Sequence, residues 1–171
     1  QRSMYNDMER DMLVWLDDHP LVADIPLVQR TRLRQITLGE VTLVDNGRLA
    51  EDDETVLLDV DFDLECKSSK ITALEKIISK YHPTDPILIF TDSAKFARVV
   101  THRLGPLARE WSGAVTQKAR AEILTAFGTT VRYIVAVIPA IAEGVDGLQR
   151  VCSTEVWLNE SSNEMMNTQA Q

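Results

Sequence analysis

The chain has 171 residues, 44% of them hydrophobic, which suits one domain, or one domain with an appendage, around a real core. Its formal net charge is −8, from 18 basic and 26 acidic side chains. No apolar run approaches the roughly 20 residues a bilayer crossing needs, and nothing at the N-terminus resembles a signal peptide.

The longest apolar run, residues 133–142, contains Pro139. Cys66 and Cys152 lie far apart and form no metal-binding spacing, so they read as two reduced thiols in a cytosolic protein. The location of the charge matters more than its size. Residues 45–65 hold nine acids against Arg48 and account for the whole −8. Residues 93–121 hold six bases against Glu110. Any polyanion contact is therefore expected to be local, beside an acidic appendage.

In chain order, Tyr5, Met8, Met12, Trp15 and Leu16 fall at helical spacings and predict a first helix. Pro20 and Pro26 interrupt the next stretch, and a second helix is expected over residues 27–38. Its Arg30, Arg32 and Arg34 read as a solvated face, with a phosphate contact as the alternative. Residues 40–44 and 55–64 alternate as strands, with a hairpin turning through Asp45-Asn46-Gly47 and the acidic loop between them.

From Ser68 the texture changes. Ser68 or Ser69 can cap a helix that turns Ile71, Leu74, Ile77, Ile78 and Tyr81 inward, closed by Pro83 and Pro86. A short apolar strand, Ile87-Leu88-Ile89-Phe90, runs into Thr91-Asp92-Ser93. A helix with Phe96, Val99, Val100 and Leu104 inward comes next, then a strand over 108–111 and a turn at Ser112-Gly113. A further helix is expected over 116–127, a strand over 133–138, a loop over 139–149 and a last strand over 154–158. The polar run 160–171 shows no terminating element. Short apolar strands alternating with amphipathic helices predict an α/β fold, a parallel sheet with helices on both faces. In such a sheet ligands sit beyond the carboxyl ends of the strands.

None of the seven glycines is followed by Lys, so the phosphate-gripping Walker A loop is absent from the sequence. His19, His82 and His102 support no Ser-His-Asp arrangement. Val56-Leu57-Leu58-Asp59-Val60-Asp61 resembles the nucleophile strand of haloacid-dehalogenase-like phosphatases, with Asp59 and Asp61 in the catalytic positions. Phe62-Asp63 departs from that pattern, and Ile138-Pro139 stands where its late Mg²⁺-holding acids belong.

A second resemblance runs in order along residues 68–171. Ser68-Ser69-Lys70-Ile71 with Leu74 is similar to the Ser-x-Lys start of the second lobe in Swi/Snf-type, superfamily 2 helicase-like motors. Ile87 to Phe90 looks like motif IV. Trp111-Ser112-Gly113, then Arg120 and Phe127, is similar to the family's Gly…Arg…Phe pattern. Residues 133–137 followed by Glu143-Gly144-Val145-Asp146 look like motif V. Trp157-Leu158-Asn159 resembles the strand before motif VI, and Gln169-Ala170-Gln171 its opening, which in the family continues to paired arginines. Before Ser68, residues 5–15 and Arg32-Leu33-Arg34-Gln35 resemble the family's helical lead-in. Ile138-Pro139 replaces the Ser or Thr usual at the end of motif V's strand, putting a hydroxyl contact to nucleic-acid backbone in doubt there.

The resemblance implies a RecA-like lobe over 67–171, preceded over 1–66 by a helical lead-in with an acidic hairpin appendage. The chain reads as a piece of a longer motor: it begins inside an apparent helix and ends before the motif VI arginines. The implied function is the second lobe of an ATP-dependent DNA helicase or translocase, inactive as an ATPase alone. Gly144, Asp146 and Gln169 would face the nucleotide between the lobes. Thr91, Ser93, Ser112 and Gly113 would meet nucleic-acid backbone, although Ser93 serves equally as a helix cap. ATP and Mg²⁺ would belong to the parent protein, with neither bound stably by this piece and no other metal or membrane partner. The partners would be the N-terminal lobe of the parent chain and DNA, duplex by preference. The location would be cytoplasmic, nucleoid-associated in a bacterium or in the host cytoplasm for a phage. The competing class is a non-enzymatic binding module of generic doubly wound fold.

Overall fold

The structure, a computed structural model, describes residues 1–16, 18–23, 25–49, 56–80, 85–142, 145 and 147–170. The chain divides into two compact units, Gln1–Ser69 and Lys70–Gln171.

The first unit opens with helix α1, Arg2–Asp11, ended by Met12 in a left-handed conformation at φ 56°. The helix expected to continue through Leu16 stops there. Residues Leu13–Leu16 form strand β1, antiparallel to β2, His19–Val22. The spacing of Trp15 and Leu16 suits a helix, but a four-residue apolar run suits a strand equally, and pairing with residues 19–22 decides between them. Helix α2, Pro26–Leu38, starts with Pro26 in its first turn, where a missing N–H costs nothing. The Gln29 side chain donates to the carbonyls of Met8 and Glu9 at 3.0 Å each, fastening α2 to the end of α1 over the buried Met8.

Strands β3, Thr42–Leu49, and β4, Val56–Asp61, form the expected antiparallel hairpin. The pairing runs past the Asn-Gly pair, to Leu49 opposite Val56. Asp45 is opposite Leu58 and Arg48 opposite Leu57, so Asn46 and Gly47 form a bulge inside β3. The acidic loop of residues 50–55 lies outside the described residues.

The second unit contains a four-stranded parallel sheet in the order β6-β7-β5-β8. Helix α3, Ser69–Ile78, leads in, with Ile71 and Leu74 buried. Tyr81 and Pro83 lie outside the described residues. Strand β5, Ile87–Thr91, is buried at all five positions and is flanked by β7 and β8. Helix α4, Ala94–Leu104, turns Phe96, Ala97, Val99 and Val100 inward. Leu104 is only half-buried. Strand β6, Ala108–Trp111, and helix α5, Gln117–Ala126, come next. Strand β7, Tyr133–Val137, is again buried throughout, as its unbroken apolar run requires of a strand covered on both faces.

Two expectations change after β7. Ile138 begins a helical turn, α6, Ile138–Ile141, rather than extending the strand, and Pro139 sits in its first turn. Strand β8, Glu155–Trp157, closes the sheet, with its Trp157 ring stacked on Phe90 at 4.2 Å between centroids. The polar run after it contains helix α7, Glu164–Ala170, packed on α6 with Ala170 buried. Its polar sequence hid it because so short a helix buries only one residue. Among the described residues, no helix is long and apolar enough to cross a membrane.

Candidate nucleic-acid and interlobe edge of the sheet

The carboxyl ends of the four strands form one edge. Thr91 lies opposite Val137, Trp111 opposite Ala136, and Phe90 opposite Trp157. The segments leaving these ends carry most of the candidate residues.

Ser93 caps α4, its Oγ accepting from the Phe96 N–H at 3.2 Å. Thr116 caps α5 in the same way, accepting from Ala119 at 3.3 Å. Both helices thus begin at this edge, where uncompensated N–H groups and the helix dipole favour an anion. Arg98 and Lys118 are exposed on these helices.

Between them, Ser112 is 2% exposed, and its Oγ has no hydrogen-bond partner among the described residues. Its carbonyl accepts from Arg120 Nη2 at 3.0 Å. The Arg120 guanidinium lies 5.3 Å from the Trp111 ring centroid, and Trp111 Nε1 donates to the Ala140 carbonyl at 3.4 Å. Three elements therefore hold the turn: strand β6, helix α5 and the segment after β7. Gly113 is exposed, with open space where a Cβ would stand. Trp111 and Arg120 belong to the Gly…Arg…Phe pattern of the sequence, but the pattern carries no sign of their stacking.

Thr91 is fully buried, unlike an expected backbone contact, and its hydroxyl is turned inward. It donates to Asn159 Oδ1 at 2.7 Å and accepts from the Ser93 N–H at 3.3 Å. Asn159 Oδ1 also accepts from the Asp92 N–H at 3.2 Å, and Asn159 Nδ2 donates to the Asp92 carboxylate. Lys70 Nζ donates to the Leu158 carbonyl. Burial lowers the Lys70 pKa, while the negative charge of Asp92 works against that shift. Lys70 and Asn159 each sit in a separate sequence motif, yet only the fold brings them to one place.

Gly144 and Asp146 lie outside the described residues. Gln169 is exposed on α7, whose packing on α6 brings it to the side of the sheet where β7 ends.

The dehalogenase-like arrangement does not form. Its nucleophile strand should lie in the parallel sheet, but Asp59 and Asp61 lie on β4, in the separate antiparallel hairpin. Asp59 Oδ1 is 3.9 Å from Arg32 Nη1 and accepts from the Val60 N–H, and Asp61 Oδ1 accepts from the Phe62 N–H. Among the described residues, no three His, Cys, Asp or Glu side chains gather as a metal site would require.

Among solved structures, the chain is similar to the C-terminal domain of a Sulfolobus solfataricus SWI2/SNF2 ATPase. The TM-score is 0.54 at 18% identity, over 78% of this chain and 54% of that one. The chain has the RecA-like α/β fold of that C-terminal lobe. It spans about half the length of that structure. No family model matches the chain's sequence, and no curated protein does.

Proposed function

We propose that the chain is the second lobe of a Swi/Snf-type, DNA-dependent ATPase motor. The observation that carries this reading is the similarity of its fold to a SWI2/SNF2 ATPase C-terminal domain, joined to ordered motif IV, V and VI patterns in the sequence. In such a motor ATP and Mg²⁺ are gripped by the first lobe, and the second supplies groups that complete the site. Gly144, Asp146 and Gln169 are the candidates for that completion. ATP would supply the driving hydrolysis when bound between lobes.

Ser93, Gly113 and the starts of α4 and α5 would meet the DNA backbone through N–H groups and hydroxyls, which bind phosphate without reading sequence. Thr91 and Ser112, both buried, would support that surface from beneath. Arg98 and Lys118 would add local positive charge.

The test compares this chain with the full two-lobe protein for ATP hydrolysis with and without duplex DNA. The expected result is no turnover by the chain alone and DNA-stimulated turnover by the two-lobe protein. Steady hydrolysis by the pure chain, lost on substitution of one of its own residues, would overturn the reading.

A further inference from the structure

We infer that Asn159, Asp92 and Lys70 form a positioning clamp that sets where the chain leaves β8 for the candidate ATP-completing segment. The clamp rests on the motor reading and adds to it residues that the sequence did not single out as functional.

The geometry starts from a pair of neighbouring parallel strands. Backbone pairing between β5 and β8 ends with the Leu158 N–H donating to the Phe90 carbonyl at 2.9 Å. Beyond that bond, side chains take over. The Asn159 amide bridges to three groups of the 91–92 turn: the Thr91 hydroxyl, the Asp92 N–H and the Asp92 carboxylate. On the preceding residue, the Leu158 carbonyl accepts from Lys70, at the start of α3. Lys70 also feels the Asp92 charge. The segment leaving β8 is thus held from two elements, β5 and α3, at the point where it sets off toward α7.

This arrangement requires donors and acceptors to match between the 91–92 turn and residue 159. The 91–92 turn offers the Thr91 hydroxyl and Asp92 N–H as donors and the Asp92 carboxylate as acceptor. Against that turn, an amide at 159 matches both kinds and leaves one negative charge beside Lys70. Partly buried, charge-assisted bonds of this kind are stronger than neutral ones and directional. A small rotation at Asn159 would be carried down the chain to α7 and Gln169, and catalytic groups displaced by about 1 Å lose on the order of a hundredfold in rate. Lys70, Asp92 and Asn159 are positioning residues in this scheme, acting through the segment they hold.

The test is a donor–acceptor swap. Asn159→Asp sets a carboxylate against Asp92 and abolishes the Nδ2 bond. In the double variant Asp92→Asn, Asn159→Asp, residue 92 donates and residue 159 accepts, the Thr91 and backbone donors keep their acceptor, and one negative charge remains beside Lys70. DNA-stimulated turnover of the two-lobe protein is measured below the melting midpoint of every variant, with KM for ATP and DNA affinity alongside. Hydrogen exchange over residues 160–170 is measured in this chain by itself.

The expected single variant loses about tenfold or more in kcat at unchanged DNA affinity, and the double variant recovers to within about threefold of the parent. Exchange over 160–170 should rise in the single variant and fall back in the double. Parent-like turnover in Asn159→Asp overturns the clamp. So does a double variant that folds but stays as slow as the single, or that does not fold. If Asn159→Asp itself does not fold, an active double variant supports the clamp by itself. An unmutated two-lobe protein without DNA-stimulated turnover would count against the motor reading instead, and the exchange pattern would then decide the clamp alone.

Discussion

Cys152 shows how one residue's surroundings translate into a measurable pH dependence. Its thiol donates to the Thr154 carbonyl at 3.0 Å and lies 3.3 Å from that of Pro86. Burial pushes its pKa above the ordinary 9.0, while backbone hydrogen bonding from Thr154 and Leu88 that favours the thiolate works against the shift. A raised folded-state value favours the protonated thiol, so its contribution to stability is complete below the unfolded value and is lost as pH rises through the folded one. The Cys152 contribution to unfolding free energy should therefore begin to decline above pH 9.0. Tyr133, raised from 10.0 by burial, extends the decline at higher pH. Lys70 has the opposite sign: its lowered value makes stability rise as pH climbs toward 10.5. Cys152→Ala should delay the onset of the decline, read as denaturation midpoints measured at steps between about pH 8 and 10. An unaltered onset would show that the thiol does not drive it.

At the scale of elements, the turn between β6 and α5 is the best-supported part of the candidate DNA edge. Arg120 reaches back from α5 to stack on Trp111 and bond the Ser112 carbonyl, with Trp111 itself bonded to Ala140 beyond β7. A cation–π contact is worth about 0.5–2 kcal/mol and a hydrogen bond about 1 kcal/mol. Arg120→Ala should therefore lower stability by about 1–3 kcal/mol in denaturant unfolding. Amide exchange should rise over 112–116 more than in β5. Arg120→Lys keeps the charge but loses the flat guanidinium over the ring, and should recover less than half of the loss. A full recovery by Lys would mean that charge alone holds the turn.

The whole molecule carries its charge unevenly. The acidic residues of 45–65 belong to the first unit, whereas the basic stretch 93–121 lies at α4, β6 and α5 of the second. Few phosphates can be neutralised by so small a basic excess, so duplex DNA should bind weakly and without sequence preference, with a shallow slope of log affinity against log salt. A charge-reversed Arg98→Glu, Lys118→Glu pair should reduce that slope by about two. Fluorescence anisotropy over a salt series checks both. Tight, sequence-selective binding at physiological salt would contradict the backbone-contact scheme.

Much of this architecture was legible in the chain. Two buried runs, 87–91 and 133–137, are apolar at nearly every position, which suits strands covered on both faces, and the amphipathic helices between them require a parallel sheet. The Ser93 cap and the Gly113 turn were equally local and equally readable. Residues 13–16 were not, because four apolar residues satisfy either period until a partner strand chooses. The bulge at Asn46-Gly47 depended on pairing register, and α7 on packing against α6. The same holds for the site. Sequence order supplied Lys70, Thr91 and Asn159 as members of separate motifs, but hydrogen bonds among them and their neighbours span 67 to 88 positions. Contacts over such distances depend on the strand order β6-β7-β5-β8, which no local pattern specifies. Local physics determines which segments become strands, helices and caps; only closure of the sheet decides which of their side chains meet.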